Sequence, residues 1–510
     1  MPDLTDIKDN WQQYDIRLIA VAISLVISII IILIPDTPNN DAFTYIRAAE
    51  IFQQQGLTAA FQHYSWASYS ILIALLSNLG FNLFTSALLI NSVFYALLVH
   101  SFLSIVKEID ESKVLLLLAA VSILFYPQLN EFRSFIIRDT GFWALTIFSL
   151  YQLLLYSRLQ TPIYGFMFCA ALLFAATFRV EAIAFLVTVP FALLLDKRSE
   201  RTPVKVFLSL YGIIVLAMVL ALIAVSIAGF SIVQLFTNYV SVYLPIITVT
   251  VSPDPQLAAD ISALLFSEHA ALFSQEYLPI FIAAGLVAIL LANLFNGIGG
   301  PYLIILICGI VKRNSVEKLQ KQICLPLLAY MLVNLLVILS FLFLTRYMTS
   351  RYTMVFSILL SLYVPLIFYG LLNSATVQKK RLIVFIGLFF SYCAIDSYVS
   401  FGEKKAFVED SIEWIEQNAN PGTGLHTNNN SIAYYSGLVE NYDELTTHIT
   451  QSRIESANVG DLIVVELNHS SRQLFNSAGA ASYLNHLQDF PSMDKGEPRI
   501  SIYRRVQPVP

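Results

Sequence analysis

Residues 18–34, LIAVAISLVISIIIILI, followed directly by residues 35–52, PDTPNNDAFTYIRAAEIF, set the frame for the whole chain. An unbroken apolar run of this length covers a hydrocarbon layer of about 30 Å when helical. Its N-terminal flank is acidic (Asp3, Asp6, Asp9, Asp15) and no small-residue cleavage motif follows it, so it reads as a retained span rather than a signal peptide. Asp41 then opens an amphipathic stretch in which Ala42, Tyr45, Ala49 and Phe52 share one face.

The same pattern of long apolar blocks recurs through all 510 residues, of which 57% are hydrophobic and 13% charged. Soluble domains carry about 25% charged residues, so one large soluble core is excluded. The net charge of -5 and the lack of a basic cluster outside short loops leave no nucleic-acid signal. All four cysteines (Cys169, Cys308, Cys324, Cys393) fall in apolar blocks and read as buried thiols.

Spans are expected at 18–34, 83–106, 114–126, 140–156, 163–178, 183–195, 206–229, 297–311, 324–345, 353–372 and 382–398. Alternate loops between them hold 14 of the 30 Lys and Arg residues, from Lys107 and Lys113 through Arg158, Lys197, Arg198 and Lys312 to Lys379–Arg381. The positive-inside rule makes that side cytoplasmic, with the N-terminus, and an odd number of spans puts residues 401–510 outside the cytoplasm. Two further apolar segments, 66–80 and 278–296, would each invert the later loops if they crossed alone. They are read as helices at the outer interface. The expected architecture is an α-helical polytopic membrane protein with about eleven spans, residues 1–400, and a small C-terminal α/β soluble domain, residues 401–510.

The outer loops between spans hold arginines and no lysines: Arg47, Arg133, Arg138, Arg179, Arg346 and Arg351. A guanidinium keeps its proton and grips phosphate or carboxylate with a planar fork, so this pattern suggests recognition. Carboxylates at span ends are costly and mark candidate sites. They are Asp41, with Asp36 nearby; Asp139, beside Arg138; and Glu181, in the short turn Phe178-Arg179-Val180-Glu181. Asp41 and Asp139 also suit helix N-caps. The segment RYMTSRY, 346–352, adds two arginines that each precede a tyrosine, Arg351 preceding Tyr352.

Beyond residue 401 the composition becomes mixed. A helix is expected over 405–418, ended by Pro421-Gly422, with strands at 462–467 and 500–503 and a helix over 470–488. His426, His448, His469 and His486 are scattered without metal-ligand spacing.

In this order and context the chain resembles polytopic glycosyltransferases of the GT-C superfamily, such as protein O-mannosyltransferases and the aminoarabinose transferases that act on lipid A. The resemblance covers about 15–440. It rests on Asp41-Ala-Phe-Thr-Tyr45 after the first span and on His63-Tyr-Ser-Trp66, which stands where the family's juxtamembrane helix begins. It also rests on Asp139, the Arg179-Val-Glu181 turn, RYMTSRY and the tail segment TNNNSIAYYSG, 427–437. Ala42 stands where the family has a second acid, which counts against a metal at that loop. The prolines that follow the family's histidine are absent here.

The resemblance implies transfer of a sugar from a polyprenyl-phosphate donor to a glycan, lipid or protein hydroxyl at the outer face of a bacterial cytoplasmic membrane. It implies Asp41 and Asp139 as catalytic carboxylates, and Arg138, Arg179, Glu181, Arg346 and Arg351 at the lipid phosphate. Tyr45, His63 and Tyr352 would line the cavity. The resemblance points to no definite cofactor, and a divalent metal stays open. Three alternatives remain at this level: a polysaccharide polymerase or ligase using undecaprenyl-diphosphate glycans, a transporter, and a non-catalytic assembly or sensor protein whose tail binds a partner. Against the transporter stand charges gathered at one membrane face and the lack of paired broken helices.

Overall fold

A computed structural model describes residues 14–34, 37–196, 202–231, 233, 237, 255–266, 270, 277–311, 317–375, 378–399, 405–420, 422–446, 448–475, 483–492 and 496–507. Asp36, Pro421 and the basic residues Lys197, Arg198, Arg201, Lys312 and Arg313 lie outside the described residues. Packing divides the chain into two compact units. The first comprises Met1–Ile29, Asn91–Arg133 and Arg138–Val399; the second comprises Ile30–Ile90, Ser134–Ile137 and Ser400–Pro510. Residues 400–510 fall in one unit together with 30–90 and 134–137.

Among the described residues seven helices are long and apolar enough to cross a membrane: Ile16–Leu33, Leu83–Ile109, Pro203–Ile227, Leu278–Ile298, Leu325–Thr345, Ser350–Ser374 and Lys379–Tyr398. Lys113–Leu124 and Pro127–Ser134 form one further candidate, bent by 49°. Pro162–Phe178, Ala182–Leu194 and Gly300–Val311 are shorter apolar helices where spans were expected. The chain is a polytopic membrane protein with a small α/β portion near its C-terminal end.

Leu278–Ile298 departs from the expected surface helix at 278–296. Its 21 residues include no charge, and at 1.5 Å per residue they reach about 31 Å, enough to span. Gly299, at φ 77°, ends it. Ser68–Ser77, by contrast, has ten residues, about 15 Å, which is too short to cross.

Within the first unit, the Asp139–Leu159 helix is buried on nearly every side. Gln160 adopts a left-handed conformation at its end (φ 53°), and Pro162 starts the next helix, where its missing N–H costs nothing. The two helices run back along each other. Gly141 permits the close approach: a Cβ there would lie 2.8 Å from the Phe178 ring. This hairpin therefore returns residue 179 to the level of residue 139.

In the second unit a four-stranded sheet has the order β1-β2-β4-β3: Leu425–Thr427, Leu462–Glu466, Ile500–Arg505 and Leu484–Phe490. β1 and β2 are parallel, and the other two pairings antiparallel. Alternate residues of β2 enter two separate cores. Ile463 and Val465 pack with Ile454, Phe475 and Tyr483, while Leu462 and Val464 pack with Val408, Ile415, Ile432 and Ile502. A strand covered on both faces reads as a continuous apolar run, which explains the legibility of LIVVE. The expected helix over 405–418 is present as Ala406–Asn418. The expected helix over 470–488 is not: His469–Phe475 is helical, but Leu484–Phe490 is the edge strand β3. A bulge between His486 and Gln488 disturbs its alternation and hides the two-residue period.

Asp461 anchors the start of β2. Its carboxylate accepts from the backbone N–H of Gly424 (3.0 Å) and of Asn458 (2.7 Å), and lies 3.3 Å from His426 Nε2. Burial pushes the carboxyl up, but these hydrogen bonds outweigh burial and hold it below the usual carboxylate range. Asp461→Asn is expected to cost about 1–2 kcal/mol at neutral pH, since an amide N–H would face backbone donors. A depressed carboxyl contributes fully above its ordinary value of about 4, and the contribution fades as pH falls through the depressed value. Melting curves of wild type and variant should therefore converge in acid; a gap of constant size at every pH would contradict this role.

Candidate functional site

The turn between Pro162–Phe178 and Ala182–Thr188 is tight. The Ala182 N–H donates to the Arg179 carbonyl (3.1 Å) and the Ile183 N–H to the Val180 carbonyl (2.9 Å). Arg179 itself is extended (φ -147°, ψ 118°), which turns its side chain out of the helix path. Its guanidinium is buried between two carboxylates. Nη1 donates to Asp139 Oδ1 at 2.5 Å, and Nη2 and Nε donate to Glu181 at 2.7 and 3.4 Å. Two residues apart on a turn, Arg179 and Glu181 form a fork-to-fork pair, the strongest geometry open to them. Asp139 stands at the start of its helix without capping it and pairs with Arg179 instead.

Aromatic rings close this cluster. The Tyr352 ring lies 4.5 Å from the Arg179 guanidinium and 5.3 Å from that of Arg351. Phe142 lies 5.6 Å from Arg179 on another side. Cations facing ring quadrupoles in a dry setting gain more than at a wet surface. Arg138 and Arg351 both act electrostatically on Asp139, and Arg138 also acts on Glu181. The structure thus brings together five of the expected site residues, Asp139, Arg179, Glu181, Arg351 and Tyr352, with Arg138 electrostatically coupled.

Two hollows meet there. A narrow crevice is lined by Phe142, Arg179, Glu181, Asn334, Phe341 and Tyr352. An apolar groove of about 400 Å³ runs between the 182–188 and 317–345 helices, lined by Val180, Ala184, Thr188, Val333, Leu336 and Ser340. Glu181 and Val337 line both. Asn334 escaped the sequence reading. The available signal was a lone amide in the apolar run LPLLAYMLVNLLVILSF, 325–341, because polar side chains at membrane depth are costly.

The other expected residues lie elsewhere. Arg346 is exposed, left-handed (φ 55°), and donates through Nε to the Phe343 carbonyl (3.2 Å) at the end of its own helix. Arg133, expected among the outward-facing arginines, is buried. It is held by Ser24, Ser28 and Asn130 and lies 4.3 Å from the Tyr95 ring. Its role is to bind helices together, since its hydrogen bonds end on protein oxygens.

The second unit holds Asp41, Tyr45 and His63. Asp41 is half-buried in the first turn of Asn40–Gln55; Asn39 takes the capping position instead. Asn39 grips the backbone of Ile136 in both directions, at 2.8 and 3.2 Å. Tyr45 is buried edge-on to Tyr64 and Tyr69. His63 Nε2 lies 2.7 Å from Asp443, and the Tyr442 hydroxyl donates to Glu50 at 2.8 Å. Burial and the Glu50 carboxylate push the Tyr442 phenol up. The three consecutive asparagines of TNNNSIAYYSG are each committed. Asn428 continues the strand pairing onto the Glu466 backbone, Asn429 caps the Asn430–Tyr435 helix, and Asn430 donates to the Tyr442 carbonyl. Among the described residues, no group of three His, Cys, Asp or Glu side chains is placed to hold a metal.

No protein-family model matches the chain, and no curated protein matches it. Among solved structures it is similar to oligosaccharyltransferase from Archaeoglobus fulgidus. The archaeal oligosaccharyltransferase AglB in complex with an inhibitory peptide and a dolichol-phosphate is 14% identical, over 88% of this chain and 69% of that one, with a TM-score of 0.49. The same organism's oligosaccharyltransferase with Zn and sulfate is 12% identical, over 96% and 73%, with a TM-score of 0.49.

Removing Arg179 alone strands two buried carboxylates. Arg179→Leu should destabilise the membrane unit by about 3–5 kcal/mol. The Arg179→Leu/Glu181→Leu double variant should lose less than the sum of the two single changes. Thermal unfolding in detergent measures both, and strict additivity would mean that the pair is not coupled.

Proposed function

We propose that this chain is a membrane glycosyltransferase that moves a sugar from a polyprenyl-phosphate donor to an acceptor hydroxyl, at the non-cytoplasmic face of a bacterial cytoplasmic membrane. The observation that carries this reading is the charged cluster around Arg179, whose Glu181 also lines an apolar groove of about 400 Å³. An amphiphile with a long apolar chain and an anionic head matches that pairing of surfaces. Three arginines (Arg138, Arg179, Arg351) face two carboxylates (Asp139, Glu181), so 3 − 2 leaves one positive charge. A lipid phosphodiester brings one negative charge, and a net charge held out of water calls for its complement. A diphosphate-linked glycan brings more, which favours the monophosphate donor over the polymerase or ligase alternative.

In this mechanism the acceptor hydroxyl attacks the anomeric carbon. The new C–O bond forms as the bond from that carbon to the phosphate oxygen breaks, and the hydroxyl proton passes to a carboxylate. Asp139 and Glu181 are engaged by a guanidinium, which makes them weak bases. They serve as positioning groups for Arg179. The family resemblance assigns the base to Asp41. The lipid phosphate leaves with an added negative charge, stabilised chiefly by Arg351 with Arg138. The prenyl chain occupies the groove between Ala184 and Leu336.

Asp41→Asn should abolish transfer while membrane insertion and melting temperature stay unchanged; wild-type turnover would remove Asp41 from the mechanism. Arg351→Gln should raise KM for the lipid donor about 10- to 100-fold, the loss expected for a charged hydrogen bond. Ala184→Trp, which fills the groove, should block donor binding in a labelled-lipid assay, and unimpaired binding would place the lipid elsewhere.

A further inference from the structure

Asn334 stands in the middle of an apolar span, Leu325–Thr345. It is 2% exposed, and its side-chain carbonyl has no hydrogen-bond partner among the described residues. A buried acceptor left unsatisfied costs stability and calls for an explanation. This one lines the crevice together with Arg179, Glu181 and Tyr352. The remaining void there is about 10 Å³, room for roughly one water-sized oxygen. Helical spacing places Asn334, Ile338 and Phe341 on the crevice side, and Val333, Leu336 and Ser340 on the groove side, with Val337 shared. A head group attached to a chain in the groove is thereby led toward Asn334.

The chemistry of the walls selects the guest. Asn334 Oδ1 and the Glu181 carboxylate accept hydrogen bonds, and the Arg179 guanidinium donates them. A phosphate oxygen, which only accepts, would meet two further acceptors. A hydroxyl both donates and accepts, and fits a seat sized for one oxygen. We infer that the Asn334 amide seats a hydroxyl of the sugar carried by the lipid donor and so reads the sugar rather than the phosphate. This assignment rests on the glycosyltransferase reading above.

The test compares binding of undecaprenyl phosphate with binding of undecaprenyl-phosphate-linked glucose, galactose, mannose and N-acetylglucosamine to the purified full-length chain in detergent. Wild type should bind at least one sugar-bearing lipid more tightly than the bare phosphate. Asn334→Leu should weaken that sugar-bearing lipid about tenfold and leave the bare lipid within about twofold, the loss expected for one hydrogen bond with its partner stranded. Its melting temperature should hold or rise, because an apolar isostere removes the orphaned carbonyl. Asn334→Asp, which keeps the acceptor and loses the donor, should retain the sugar preference. Equal weakening of both lipids by Asn334→Leu, or no sugar preference in wild type, overturns the inference while leaving lipid-phosphate binding in place. Wild type binding neither lipid overturns the glycosyltransferase reading itself.

Discussion

A guanidinium buried in apolar surroundings has to find its counter-charges within hydrogen-bond reach, and the first unit is arranged around that requirement at Arg179. Asp139 and Glu181 claim three of its donors, and aromatic rings take its faces. In water such a pair is nearly neutral in free energy. Buried as it is here, loss of any one partner leaves a charge with little solvent to turn to. Each of the three charges thus depends on the other two to stay buried.

The cluster depends on a hairpin. Leu159 and Pro162 sit at one end of two antiparallel helices, and Asp139 and Phe178 at the other. Gly141 lets the helices approach closely enough for the carboxylate and the guanidinium to meet. The 317–345 helix then supplies both the groove wall and the crevice wall from adjacent stripes. One helix thus lines an apolar groove and a partly polar crevice side by side.

The second unit shows a different logic. There, asparagines and carboxylates replace missing backbone partners. Asn39 pairs with Ile136 as a strand would, and Asn428 extends the β1–β2 pairing onto Glu466. Arg505 donates to the carbonyls of Ile454, Glu455 and Ala457 at the end of a short helix. Such side-chain substitutes allow irregular backbone to stay buried without orphaned groups. Amide-rich stretches of this kind look like binding motifs in a sequence, but their donors and acceptors are already engaged in holding the fold.

The sequence by itself determined the membrane class, most of the helices, the buried strand at Leu462 and the presence of two opposite charges in the Arg179-Val-Glu181 turn. These are properties of contiguous residues: transfer free energy summed along a segment, and neighbours on one turn. Only the tertiary structure decided that Arg133 is caged by serines, that Arg346 turns away while Arg351 joins the cluster, and that Asn334 faces a crevice. It also made Leu278–Ile298 a helix of spanning length and 484–490 a bulged edge strand. Those outcomes depend on which distant side chains arrive within about 3 Å of a polar atom, and neither composition nor periodicity carries that distance.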